Sequence, residues 1–395
     1  MDKKALQGVV VLDLTKVLAG PYCGSILADF GADVIKIEPQ KGEDGRYYGP
    51  YLNGESLYFG NLNRGKRDIT LNLKSEEGKE IFKKLVMKAD MVIENFRPGV
   101  MDRLGLGYED LKKINPRIIY GAISGFGKGS PYEKLGGYDI ISQAMGGQMS
   151  VTGQENDPPT RSGNAIGDVL GGMNLALGLL VALQARNVTG EGQYVDVALV
   201  DSVAASLEQA WQRYFVSGKL PIRHGNYYDA IAPYDSYMAS DGYLVIGCGN
   251  QALFEVFCRE LLHREDLITD PRFLDVPLRV KNNKEFKVIV EEWLSDKTVD
   301  EAVDMLRAAR IPSGPIWDLK QLSESEHAKA RGMFVEVEHP VAGTMKLNAS
   351  PIKLSDTPAK VRTAPPVLGA DNDVILKDLG YSEEEIAELK EKKVI

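Results

Sequence analysis

Cysteine is scarce in this chain. Cys23, Cys248 and Cys258 are the only three in 395 residues, and none forms a CxxC pair. A disulfide framework is therefore excluded, and a reducing compartment is the natural setting. Histidine is almost as rare: His224, His263, His327 and His339 lie far apart without metal-ligand spacing, so no metal site is expected. Positive charge is in deficit, with 47 basic against 56 acidic residues and a net charge of −9, which argues against a nucleic-acid surface. Residues Met1 to Leu6 hold no apolar run of signal-peptide length. A cytoplasmic protein is expected, with neither membrane nor nucleic acid as partner. Two phosphate-binding signatures are also missing. There is no GxxxxGK[ST] loop, and the first turn, Ala19-Gly20-Pro21-Tyr22-Cys23-Gly24, puts proline where a GxGxxG turn needs glycine.

What is present reads as α/β. At 44% hydrophobic and 26% charged the composition is ordinary globular, and the length predicts one large domain or two. Short β-branched runs at 9–13, 34–38, 69–73, 90–94, 118–124 and 193–199 alternate with helical patterns, as in parallel βαβ units. Residues 41–60, rich in Gly, Tyr and charge, read as a long loop. The cation cluster Arg64-Gly65-Lys66-Arg67 is either a solvated loop or an anion site. The turn Asn95-Phe96-Arg97-Pro98-Gly99 follows a strand, where ligands bind in open parallel sheets. Near residue 218 the pattern changes. A polar and aromatic linker precedes a strand at 242–247, helices near 252–261, 284–294 and 299–309, and a proline-bearing edge strand at 311–316, which suggests a smaller α+β domain. The chain closes with a helix introduced by the capping box Ser382-Glu383-Glu384-Glu385.

One stretch stands apart. Between Asp168 and Arg186 no ionisable side chain occurs, and the apolar residues are spread so evenly that a helix buried on nearly all sides is expected. Asp168 at its start has two readings. It caps the first free N–H groups, or it is a nucleophile beside glycines that admit another molecule.

The motifs taken together resemble family III CoA-transferases, the CaiB/BaiF type that includes formyl-CoA transferase and crotonobetainyl-CoA transferases. The resemblance rests on Leu12-Asp13-Leu14-Thr15, Ala19-Gly20-Pro21, Gly31 to Glu38, Asn63 to Arg67, Glu94 to Gly99, Asn115-Pro116-Arg117, Ser124 to Gly127, Gly167-Asp168, Pro365 to Gly369 and Leu379 to Ser382. It implies a Rossmann-like parallel-sheet large domain (1–217), linkers and a small domain (218–330), a C-terminal segment returning to the large domain (331–395), and an interlocked homodimer. It further implies that Asp168 attacks an acyl-CoA thioester and relays the acyl group through a mixed anhydride and an aspartyl-CoA thioester to an acceptor acid. Backbone N–H groups of the glycines around Asp168 are candidate oxyanion donors, and the helix start is expected to keep the carboxylate ionised. CoA enters as a substrate; no tightly bound cofactor is implied.

Carried over by position, the CoA contacts fall on Val17, Ala19, Leu71, Lys74, Asn95, Phe96, Arg97, Arg103 and Leu199, with Leu18, Tyr138 and Asp139 at the acyl pocket. The sequence departs from formyl-CoA transferase at Pro39 and Ser124, where that enzyme is basic, and at Leu18, where it has glutamine. The stretch His224 to Ala230 replaces its glycine-rich loop. These departures weigh against formyl-CoA and oxalate as substrates. A related racemase would need a histidine where Tyr138 stands, and a phenol is a poor base near neutrality. An isomerase and a non-catalytic acyl-CoA-binding homologue remain the alternatives.

Overall fold

A computed structural model describes residues 3–395. The chain divides into two units. The larger holds the chain up to Met149, Arg161–Gly218 and Glu326–Ile395; the smaller holds Ser150–Thr160 and Lys219–Ser325. The segment 150–160 therefore lies with the smaller unit, not with the N-terminal part of the large one.

The large unit is built on six parallel strands: β1 (Val10–Asp13), β2 (Asp33–Glu38), β3 (Arg67–Thr70), β4 (Met91–Glu94), β5 (Ile119–Ser124) and β6 (Tyr194–Ala198), in the order β3-β2-β1-β4-β5-β6. The sheet reverses direction beside β1, which pairs with β2 on one side and β4 on the other. Its apolar run has a simple cause. Successive strand residues point to opposite faces, and both faces are covered. Val11 joins Leu27, Val34, Ile93, Leu175 and Leu179 on one face. Leu12 joins Ile35, Ile69, Phe82, Leu85 and Val92 on the other, where the C-terminal residues Leu376, Ile386 and Leu389 complete the core. The helices that matter for the site are α1 (Ala19–Asp29), α2 (Leu57–Asn63), α3 (Glu76–Lys88), α4 (Tyr108–Ile114), α5 (Asp139–Met145), α6 (Ile166–Thr189) and α7 (Leu199–Ala205).

Three sequence expectations change here. Residues 41–60 are not one loop: they hold a 3-10 turn at Asp44–Tyr47, a two-residue hairpin and the start of α2, whose cap is the Ser56 hydroxyl. The cations at 64–67 do not form an anion site. Arg64 pairs with Asp29 at 2.6 Å, Lys66 with Asp13 at 2.7 Å and Arg67 with Asp33 at 2.5 Å, so all three bind the first βαβ unit internally. Lys66 and Asp13 are wholly buried, and Lys66 also donates to Pro21 O and Asn63 Oδ1. Burial pulls the Lys66 ammonium down to about 8, and Asp13 opposes the fall.

Helix α6 is the third. It is long and apolar enough to cross a membrane, yet its glycine and leucine face, with Gly171, Gly172, Leu175 and Leu179, is packed in the core. The opposite face is open: Met173, Leu177, Val181 and Val188 are exposed, Leu177 at 61%. The helix is thus buried on one side within this chain, not on nearly all.

The smaller unit has a three-stranded antiparallel sheet, with Tyr243–Gly247 between Tyr234–Met238 and the edge strand Ser313–Pro315. Phe254, Phe257, Phe273 and Phe286 fill its core. At the C-terminus Ser382 and Glu385 form the expected capping box.

Candidate active site

Two of the cavities at the carboxyl ends of the parallel strands lie where the sheet order reverses and a ligand crevice is expected. The smaller, about 400 Å³, is lined by Lys16 to Ala19 after β1, Asn95 to Pro98 after β4, Ser124 at the end of β5 with Gly125 beyond it, and Gly136 to Tyr138, Asp168 and Leu199. The larger, about 900 Å³, is lined by Leu14, Ile37, Pro39, Leu71, Lys74, Phe96, Val100, Arg103 and others. Lys16 and Phe96 line both. Asp139 lines neither cavity; the other residues carried over from the family pattern fall into two groups. Val17, Leu18, Ala19, Asn95, Arg97, Tyr138 and Leu199 surround Asp168; Leu71, Lys74 and Arg103 line the neighbouring cavity; Phe96 stands between. Gly125 and Gly137 allow this. A Cβ on Gly125 would lie 2.4 Å from Gly137 Cα, so the loop carrying Tyr138 reaches the end of β5 only because both residues lack a side chain.

Asp168 is the third residue of α6 but does not cap it. The cap comes from another helix. Asp139 Oδ1 accepts the N–H of Gly167 at 2.8 Å and of Asp168 at 3.4 Å. Asp139 is held in turn by Gln143, whose Nε2 donates to Asp139 Oδ2 at 2.7 Å and whose Oε1 accepts the Ser162 N–H at 2.9 Å. The Asp168 carboxylate accepts no hydrogen bond from any described residue. Burial, reinforced by the nearby Asp139 charge, pushes its carboxyl up to about 7. Burial and a like charge thus work against the ionisation that the helix start is expected to favour. A partly buried carboxylate without hydrogen-bond partners is the more nucleophilic for it.

The expected oxyanion donors change as well. The Gly167 N–H is taken by Asp139, and Gly171 and Gly172 lie inside α6, where N–H groups bond to the preceding turn. Free donors lie at the N-terminus of α1. Leu18 is its N-cap without a side-chain cap, and the N–H groups of Leu18 and Ala19 find no acceptor among the described residues. Both residues line the Asp168 cavity. Their orientation depends on Val17, which has φ +67°. That left-handed conformation costs a β-branched residue about 1–2 kcal/mol.

Asn95 lines the cavity, but its amide is engaged: Oδ1 accepts the Lys16 N–H at 2.9 Å and Nδ2 donates to Lys16 O at 2.8 Å. It shapes the turn after β1. Lys74, Arg97 and Arg103 differ from the 64–67 cluster in being exposed. None of the three makes an ion pair among the described residues. Tyr58 of α2 was not singled out from the sequence. Burial and the Asp168 charge both raise its phenol, which places it within electrostatic reach of Asp168. No motif marks it, because its neighbourhood reads as loop.

Comparisons with known proteins bear on the family and the fold. Residues 6–372 match the model of CoA-transferase family III. The chain is 42% identical to an acetyl-CoA:oxalate CoA-transferase of Acetobacter aceti over 89% of this chain and 90% of that one. It is 38% identical to a succinyl-CoA–D-citramalate CoA-transferase of Chloroflexus aurantiacus, over 99% and 98% respectively. Among solved structures, a CAIB/BAIF family protein from Brucella suis superposes with a TM-score of 0.85 at 38% identity, covering 95% of this chain and 99% of that one.

Proposed function

The chain belongs to CoA-transferase family III, and on that premise we propose that it moves CoA between carboxylic acids through covalent catalysis by Asp168. A carboxylate oxygen of Asp168 attacks the carbonyl carbon of an acyl-CoA thioester. The C–S bond breaks, CoA leaves as thiolate, and a mixed anhydride remains. The thiolate attacks the aspartyl carbonyl and releases the donor acid, leaving an aspartyl-CoA thioester. The acceptor carboxylate reverses these two steps and departs as the new thioester, with Asp168 restored. No proton is gained or lost, and anhydride and thioester are close enough in energy that no nucleotide is consumed.

The observation that carries this reading is Asp168 itself: a carboxylate without hydrogen-bond partners, pushed up to about 7 by burial and Asp139, in a cavity at the strand ends. The N–H groups of Leu18 and Ala19 are the proposed oxyanion donors. The larger cavity suits the nucleotide end of CoA, with the unpaired Lys74 and Arg103 at its wall to meet phosphate. Arg97 stands at the acyl cavity, Leu18, Tyr138 and Leu199 shape it, and Phe96 joins the two halves. Pro39 and Ser124 leave the phosphate contacts to these remaining cations. The acid pair is proposed as short carboxylic acids, dicarboxylates first. Oxalate stays among them, since a relative at 42% identity is named for it despite the departures at Leu18 and 224–230.

The proposal includes an interlocked homodimer in the cytoplasm. The open apolar face of α6, with Met173, Leu177, Val181 and Val188, supports a second copy. The test is direct. Asp168→Ala should abolish transfer while leaving CoA binding intact, and hydroxylamine added after acyl-CoA should trap a hydroxamate on the parent protein alone. Appreciable turnover by the variant would overturn the assignment.

A further inference from the structure

The turn after β1 is held in a conformation its sequence disfavours. Val17 has φ +67°, in a region that β-branched residues avoid, so something must hold it there. The Lys16–Val17 peptide is pinned at both ends. Its C=O accepts from Asn95 Nδ2 at 2.8 Å, and its N–H donates to Glu43 Oε2 at 3.0 Å. Glu43 is only 5% exposed, and the same oxygen accepts the Gly45 N–H at 2.6 Å. Its backbone is fixed as well, because the Glu43 N–H donates to Glu38 Oε2 at 2.7 Å. Glu38 is gripped by Arg46 at 2.7 Å, and the Arg46 guanidinium lies 3.8 Å from the centroid of the Phe59 ring. Once that peptide is fixed, rotation about the N–Cα and Cα–C bonds of Val17 decides where the next N–H, that of Leu18, is aimed.

We propose that Glu43 is a positioning residue for acyl transfer: it holds Val17 left-handed and so aims the free N–H groups of Leu18 and Ala19 at the oxyanion formed beside Asp168. This rests on the reading of Asp168 and the α1 terminus given above. Without Glu43 the peptide loses one of its two pins. Val17 then relaxes to negative φ, and the Leu18 N–H turns away from the cavity. Strain of this kind persists where the surrounding structure over-determines it, and it collects at functional sites.

The test measures the rate of Asp168 acylation, read as hydroxamate, together with steady-state kcat and the dissociation constant for CoA. Glu43→Ala should slow acylation by about tenfold to a hundredfold, on the order of losing an oxyanion donor. Glu43 also lines the larger cavity, so acylation is read at saturating acyl-CoA, where a change in CoA affinity does not enter the rate. Glu43→Gln keeps an acceptor for the Val17 N–H and should retain at least about a third of the parent rate. Glu43→Asp keeps the charge but withdraws the acceptor; it should fall with the alanine variant, and it replaces that variant if Glu43→Ala does not fold. Adding Val17→Gly to the slow variant should recover about tenfold without restoring its melting temperature, because glycine adopts the left-handed turn unaided. Parent-like acylation in Glu43→Asp, loss in Glu43→Gln equal to that in Glu43→Asp, or no recovery with Val17→Gly would each overturn the inference. Its failure is distinct from that of the underlying reading: an active Asp168→Ala removes the nucleophile assignment, whereas an inactive Asp168→Ala beside a fully active Glu43→Asp removes only the role of Glu43.

Discussion

Replacing Asp168 with asparagine should make the free protein more stable above neutral pH and leave it unchanged in acid. The carboxyl is raised from its ordinary 3.8 to about 7, by burial first and by the Asp139 charge second. Below the ordinary value the group is protonated in both folded and unfolded chains, and folding is indifferent to it. As pH rises toward 7 the unfolded chain ionises while the folded one keeps its proton, so stability is lost across that window. The loss is complete above 7. At about 1.4 kcal/mol per tenfold in proton affinity, the whole displacement corresponds to roughly 4 kcal/mol. Asp168 is only partly buried, and solvent screening reduces the effect to about 1–2 kcal/mol. Asparagine keeps the shape and removes the charge. Melting temperatures of the unliganded Asp168→Asn and parent proteins should differ by roughly 1–3 °C at pH 8 and coincide at pH 4. A variant no more stable at pH 8, or one stabilised equally at both pH values, would refute the argument that ionisation of a desolvated Asp168 destabilises the fold.

Three further outcomes follow from the same structure. Asp139→Asn keeps an oxygen to cap α6 but removes the like charge, so the acid limb of kcat/KM, centred near 7 in the parent, should move to lower pH; Asp139→Ala also loses the cap, worth about 1 kcal/mol, and should be less stable than Asp139→Asn by denaturant unfolding. Lys66→Met strands the wholly buried Asp13 carboxylate, whose charged form Lys66 and Lys36 favour against the effect of burial, and should cost about 3–5 kcal/mol; a loss below about 1 kcal/mol would show that Lys36 and Thr15 suffice to hold the charge.

Much of the large unit was legible without coordinates. The β-branched runs predict the six parallel strands, because a strand buried on both faces leaves a continuous apolar trace. The Ser382 capping box is legible because its partners stand three residues apart, and the edge strand Ser313–Pro315 because prolines mark it, although its pairing partner Leu244–Ile246 lies about 70 positions earlier. The failures share a cause. The cations at 64–67 look available for anions because their partners Asp13, Asp29 and Asp33 lie 34 to 53 positions earlier. The exposed side of α6 looks buried because composition records how apolar a helix is and not what covers each face.

The sequence by itself determined the class of protein: the order and density of its motifs place it in its family and single out Asp168. Only the tertiary structure decided how that carboxylate is prepared. It showed that Asp139 from α5 caps α6, that the Asp168 carboxylate accepts no hydrogen bond among the described residues, and that Leu18 and Ala19 at the start of α1 line the same cavity. It also showed Val17 held in a conformation no valine adopts by preference. The reason is physical. A residue's type sets what it is able to do, whereas its proton affinity, its partners and its backbone strain are set by groups that the fold brings to it from elsewhere in the chain.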